Sequence, residues 1–185
     1  VIAYGNKNIP AAMQNFQTSQ RVAPGKASTD INIAACYLAQ RDVANTRTML
    51  VQASTEPTIL PTDWSKMGRL YMDIRDPDTG LKALAKGATL APDDPICQFN
   101  FARGLLSVRM FSQAVPVLQQ CVQLTPSNAA TRVALGVALA QTGHLGDAQT
   151  QLNQALQLDP SNPDAQRFSA QVQQLLSREP ALPAR

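Results

Sequence analysis

Few residues in this chain carry the side chains of acid–base, metal or nucleophilic chemistry. Asp73 and Asp76 stand close enough in sequence to form a carboxylate pair, one donating and one accepting a proton. They lie at a turn, whose run Asp76-Pro77-Asp78 includes one of them, and no base or nucleophile is tied to them by spacing, so a structural use is expected. His144 is the single histidine, which leaves no His-rich metal pattern. Cys36, Cys97 and Cys121 are odd in number and have no C-x-x-C spacing. That argues against a disulfide framework or a zinc site and for buried, inert thiols. Trp64 and Tyr71 fit packing between helices better than a ligand cage. No catalytic constellation emerges, and no cofactor or metal is expected.

Composition narrows the classes further. The 185 residues are 44% hydrophobic, 16% charged and only 5% aromatic, so a core must be built mainly from Ala, Leu, Val and Ile. Sixteen basic and thirteen acidic residues are dispersed along the chain and leave a net charge of +3, too little and too scattered for nucleic acid. No apolar run approaches the ~20 residues that a membrane span needs. The Gln-rich, Lys-poor character looks more bacterial than eukaryotic, with cytoplasm and periplasm both open.

The elements that organise these residues recur every 34 positions: Pro24, Thr58, Pro92, Pro126 and Pro160. Val22, Leu90, Leu124 and Leu158 each lie two residues before their proline. A fixed period of this length marks a helical solenoid. It divides the chain into a partial repeat at 1–26, full repeats at 27–60, 61–94, 95–128 and 129–162, and a remainder. One small residue recurs in the first half of each full repeat and two in the second: Ala34, Thr46, Ala53; Gly68, Gly80, Gly87; Ala102, Ala114, Cys121; Gly136, Ala148, Ala155. Antiparallel helices approach closely only where side chains are small, so each repeat reads as a tight helical hairpin. Large residues beside them, Tyr37 and Leu50, Tyr71 and Leu84, Leu105 and Leu118, Leu139 and Leu152, fill the space between hairpins. Asp94-Pro95 and Asn162-Pro163 place a capping side chain before a proline at the first helical position, and Asn128 caps the repeat at 129–162.

Trp64, Met67, Gly68 and Tyr71 reproduce the W-x2-L-G-x2-Y opening of a tetratricopeptide repeat, with Met in place of Leu. Leu84, Leu90 and Pro92 continue it, and Leu135, Gly136, Leu139, Ala148, Leu152, Ala155 and Pro160 repeat it. The chain resembles the tetratricopeptide repeat family over residues 1–162. The repeat at 27–60 is degenerate, with Thr46, Glu56 and Pro57 at unusual places. The resemblance implies an all-α, right-handed superhelix of hairpins, a single solenoid domain over 1–177.

It further implies a non-catalytic scaffold that binds a protein or peptide along its first helices. The face so implied carries Ile31, Asn32 and Ala35; Ser65, Lys66 and Arg69; Phe99, Asn100 and Arg103; and Val133, Ala134 and Val137. Lys66, Arg69, Phe99, Asn100 and Arg103 are the candidate peptide-binding residues, and their charge favours an acidic partner. Some family members grip acidic chaperone tails through a carboxylate clamp of Lys, Asn, Asn, Lys and Arg. Only Asn100 matches that pattern here, so the clamp is not expected.

At the ends, residues 163–177 form a capping helix with an apolar stripe of Phe168, Val172, Leu175 and Leu176, followed by a disordered tail at 178–185. Ile9, Ala12 and Phe16 match a second helix, while Val1–Tyr4 match only the end of a first one. The chain therefore reads as starting inside a repeat, with an apolar N-terminal edge open to a weak homodimer. A self-assembly module is accordingly the alternative function.

Overall fold

The computed structural model describes residues 8–178. Among the described residues there are ten α-helices and no strand: α1 (Ile9–Val22), α2 (Ala27–Ala39), α3 (Val43–Ser54), α4 (Pro61–Asp73), α5 (Pro77–Leu90), α6 (Pro95–Ser107), α7 (Phe111–Leu124), α8 (Ala129–Gln141), α9 (Leu145–Leu158) and α10 (Pro163–Leu176). The chain divides between Pro92 and Asp93 into two compact units, with α1–α5 in the first and α6–α10 in the second. Val1–Tyr4 and the tail from 179 onward lie outside the described residues.

Helix starts follow the sequence interval. α4, α6, α8 and α10 begin at Pro61, Pro95, Ala129 and Pro163; α3, α5, α7 and α9 begin at Val43, Pro77, Phe111 and Leu145. The expected caps are in place. Asp94 accepts from the Ile96 and Cys97 amides at 2.8 and 2.9 Å, Asn128 from Thr131 at 3.2 Å and Asn162 from Ala165 at 3.0 Å. Asp42 and Asp76 serve α3 and α5 in the same way through the Asn45 and Thr79 amides. Each such cap contributes about 1 kcal/mol.

Each hairpin closes through one turn. The amides of Asp42, Asp76, Met110 and His144 bond back to the carbonyls of Tyr37, Tyr71, Leu105 and Leu139 at 2.9 Å in every case. This is the Schellman arrangement, and the residue before each of those amides adopts a left-handed backbone. That residue is Gly143 in one hairpin (φ 84°) and Arg41, Arg75 and Arg109 in the others (φ 63°, 61° and 63°). A left-handed residue that bears a Cβ sits about 1–2 kcal/mol above the right-handed form, a penalty glycine escapes.

In the first unit, α2 to α4 enclose Ala27, Ile31, Ala34, Leu50, Ala53, Met67, Tyr71 and Ile74. The degenerate repeat folds as a hairpin because the buried Thr46 hydroxyl donates to the Asp42 carbonyl at 2.6 Å, so its extra polar atom is satisfied. Met13 of α1 packs with Ile33 and Cys36, and Ile9, Ala12 and Phe16 lie half-buried against them. The apolar edge expected to be open is therefore partly used within the fold.

In the second unit, Ala102, Leu105, Ala114, Leu118, Cys121, Leu139, Ala148, Leu152 and Ala155 are buried. α10 packs on α8 and α9. Its buried residues are Ala165 and Val172, with Phe168 and Leu176 half-buried. Leu175, expected on the apolar stripe, is 46% exposed: residues 165, 168, 172 and 176 share one helical face, and 175 falls to its side.

All twelve small positions are buried. A Cβ added to Gly68 would lie 2.5 Å from Leu84 Cγ and 2.8 Å from the Gly80 carbonyl oxygen, so α4 and α5 meet backbone to backbone. Gly146 in the first turn of α9 faces open space. Gly68→Ala should lower the thermal midpoint, because overpacking at about 1–3 kcal/mol outweighs the helix-propensity gain of up to ~1 kcal/mol. Gly146→Ala should raise it by that propensity gain alone. A raised midpoint for Gly68→Ala would refute the close approach.

Candidate protein-binding site

The candidate residues lie on two first helices, one in each unit. Pro61 starts α4, and the Asp63 carboxylate accepts from the Leu60 amide at 3.3 Å, fixing the first turn. One turn on, Lys66 is exposed and leans on Asp63, Nζ to Oδ1 3.4 Å. Arg69, half-buried on the same helix, has no acidic partner among the described residues. In the second unit, α6 brings Phe99 and Asn100, both half-buried, beside the exposed Arg103 within one turn. Arg103 likewise meets no carboxylate among the described residues. Each unit thus carries its own patch, cationic on α4 and mixed aromatic, amide and cationic on α6.

Three other residues expected on this face are not there. Ile31 is buried in the first core, Ser65 is buried in α4, and Val133 is buried in α8. The first helices pack on one another as well as on their own hairpin partners, α2 on α4 and α8 on α10. That second contact consumes side chains which a one-partner helix would leave in water. Asn32, Ala35, Ala134 and Val137 remain half-exposed.

The remaining chemical candidates are absorbed by the fold. Asp76 pairs with Arg47 as well as capping α5, and the Arg47 hydrogen bond holds its carboxyl below the usual carboxylate range. It is a structural anion, not half of an acid–base pair with the exposed Asp73. Tyr71 is buried in the first core, and Trp64 packs between helices with the Lys86 ammonium 3.8 Å from its ring centre. Arg132 occupies the place in its repeat that Trp64 holds in the second. Its guanidinium donates to the Pro126 carbonyl and to Gln151 and Gln154, so it too is structural.

Two features escaped sequence reasoning. Asp30 is buried on α2, where Gln20 donates to Oδ1 at 2.6 Å; desolvation raises its pKa, Gln20 opposes this, and Glu56 adds to it. Nothing in the residue pattern marked it, since helix α1 supplies the burial. A cleft of about 600 Å³ lies between α7 and α9 over Leu135 and Leu139, rimmed by Gln119, Gln123, Asp147 and Gln151. The glutamines at those positions were the only sign of it.

These are helical-hairpin repeats that present side chains from first helices and enclose no reactive centre among the described residues. Residues 105–172 match the tetratricopeptide repeat family model. No curated protein matches the sequence. Among solved structures, the fold is similar to that of YrrB, described as a TPR protein with an unusual peptide-binding site, at 16% identity over 88% of this chain and 84% of that one, TM-score 0.73. It is similar to the MamA RS-1 ArsTM double mutant at 19% identity over 82% and 85%, TM-score 0.73. The first TPR of Spaghetti (RPAP3), bound to the HSP90 peptide SRMEEVD, aligns at 21% identity over 63% and 93%, TM-score 0.60. The family match covers residues 105–172, and the likeness to these solved structures is one of helical-repeat fold.

None of the three cysteines is in a disulfide, and all are buried. Burial pushes Cys36 up and Cys121 up to about 11. A thiol reagent at pH 8 should therefore label native protein slowly and unfolded protein at once. Because the unfolded thiols ionise first, near pH 8.5, their contribution to stability is complete below that pH. It should fall as pH rises toward about 11, which melts across that range will show.

Proposed function

We propose that this chain, as one repeat domain over residues 1–177, is a non-catalytic scaffold binding an extended or helical peptide along its exposed first-helix faces. Lys66 and Arg69 on α4 and Phe99, Asn100 and Arg103 on α6 make the contacts. The observation that carries this is the pair Arg69 and Arg103, two cations on first helices without acidic partners among the described residues. On α6, Phe99 offers an apolar surface beside Arg103, so the favoured ligand is acidic with apolar anchors. Peptide binding by proteins of the same fold supports the reading, including a bound peptide, SRMEEVD, with three acidic residues.

Self-association through α1 is the second reading, carried by the half exposure of Ile9, Ala12 and Phe16; a mass that rises with concentration would favour it.

Peptides selected from a display library against the native chain should be rich in Glu and Asp with interspersed apolar residues. Exposed charge contacts contribute about 0.5–1 kcal/mol each and weaken with salt. Arg69→Glu/Arg103→Glu should therefore weaken those peptides about five- to thirtyfold with helicity unchanged. Unaltered affinity would rule the two faces out.

A further inference from the structure

The closing turns of the hairpins hold a pattern that the peptide-binding reading does not use. Gly143 fills the left-handed position of its turn, as the geometry favours, while Arg41, Arg75 and Arg109 fill it in the other three hairpins. Persistent strain of this kind points to a use for the side chain. Arg109 finds one inside its own unit, 5.8 Å over the Phe111 ring. Arg41 and Arg75 do not: both are exposed, and among the described residues neither guanidinium meets a carboxylate or an aromatic ring.

The anions nearest in sequence are already engaged. Asp42 accepts from both the amide and the side chain of Asn45. Asp76 accepts from the Thr79 amide and from Arg47. The Arg47–Asp76 pair also ties the start of α3 to the start of α5, which brings the α2–α3 and α4–α5 turns to one edge of the first unit. That edge therefore displays two guanidiniums without carboxylate partners among the described residues, and Val43, two residues from Arg41, is 45% exposed.

We propose that this turn edge is a second docking surface, distinct from the first-helix faces, and that Arg41 and Arg75 take an acidic segment of a partner protein. A guanidinium fork pairs with a single carboxylate in a bidentate geometry that survives a mixed electrostatic field. Binding to an anionic bilayer instead sums small increments over many basic residues. Asp42, Asp76 and Asp78 in the same turns work against that sum. The two guanidinium forks, without carboxylates of their own, and the small apolar patch favour a peptide that brings single carboxylates to them.

The test uses the full chain with Arg69→Ala/Arg103→Ala, so that the faces proposed above do not contribute. A fluorescent glutamate-rich peptide containing leucine is titrated, and vesicles of phosphatidylcholine with phosphatidylglycerol are titrated in parallel. Arg41→Gly/Arg75→Gly should weaken the peptide at least about fivefold, with a thermal midpoint equal to or above that of the parent. Arg41→Lys/Arg75→Lys should fall between the two. Absent peptide binding by the parent, equal binding by the glycine variant, or binding to vesicles alone would overturn the proposal. A lowered midpoint in the glycine variant would overturn it too, since the arginines would then serve the fold.

Discussion

Two helices can lie only as close together as the residues between them permit, and the rest of this structure follows from that limit. In α4 and α5 the limit is set by Gly68, Gly80 and Gly87, where a Cβ would strike backbone atoms 2.8 to 3.0 Å away. In α8 and α9 it is relaxed to one glycine, Gly136, and two alanines, Ala148 and Ala155. In α2 and α3 a threonine is admitted because its hydroxyl has a carbonyl to bond. Close contact at three points fixes the hairpin. The hairpin then fixes which faces of its first helix remain for anything else.

The functional reading depends on the same limit. Aromatic content is low, so the core is made mainly of Ala and Leu with some Ile, Met and Cys, and much polar chemistry is spent on caps: Asp42, Asp76, Asp94, Asn128 and Asn162 all end as helix caps. Arg47 and Arg132, which sequence alone leaves as free cations, are bound to Asp76 and to the Pro126 carbonyl with its two glutamines. What is left without an internal role among the described residues is a short set of cations, with the half-buried Phe99 near one of them. Such a set suits the proposed recognition of another chain, and residues 105–172 match tetratricopeptide repeats.

Much of the fold was legible in the sequence because it is local and repeated. Helix starts at Pro61, Pro95, Ala129 and Pro163, the caps before three of them, and all twelve small positions follow from the interval. The site was legible in outline only. Ile31, Ser65 and Val133 were expected on an open face from the family resemblance, yet they are buried, and the packing of successive first helices on one another is something no single repeat encodes. Leu175 was misplaced by one step of helical phase. The left-handed arginines carry no signature in their residue type; only their offset of one, two and three intervals from Gly143 could have marked them.

The direct test of the close-approach constraint is a double-mutant cycle between α8 and α9. A Cβ on Gly136 would lie 2.7 Å from Leu152 Cγ and 3.2 Å from the Ala148 carbonyl oxygen, so the obstruction is chiefly one side chain. The stability cost of Gly136→Ala, measured by denaturant unfolding, should shrink by about 1 kcal/mol or more in a Leu152→Ala background, a coupling expected of residues in contact. Costs that simply add, within about 0.3–0.5 kcal/mol, would contradict the claim that these small residues set the spacing of the hairpin.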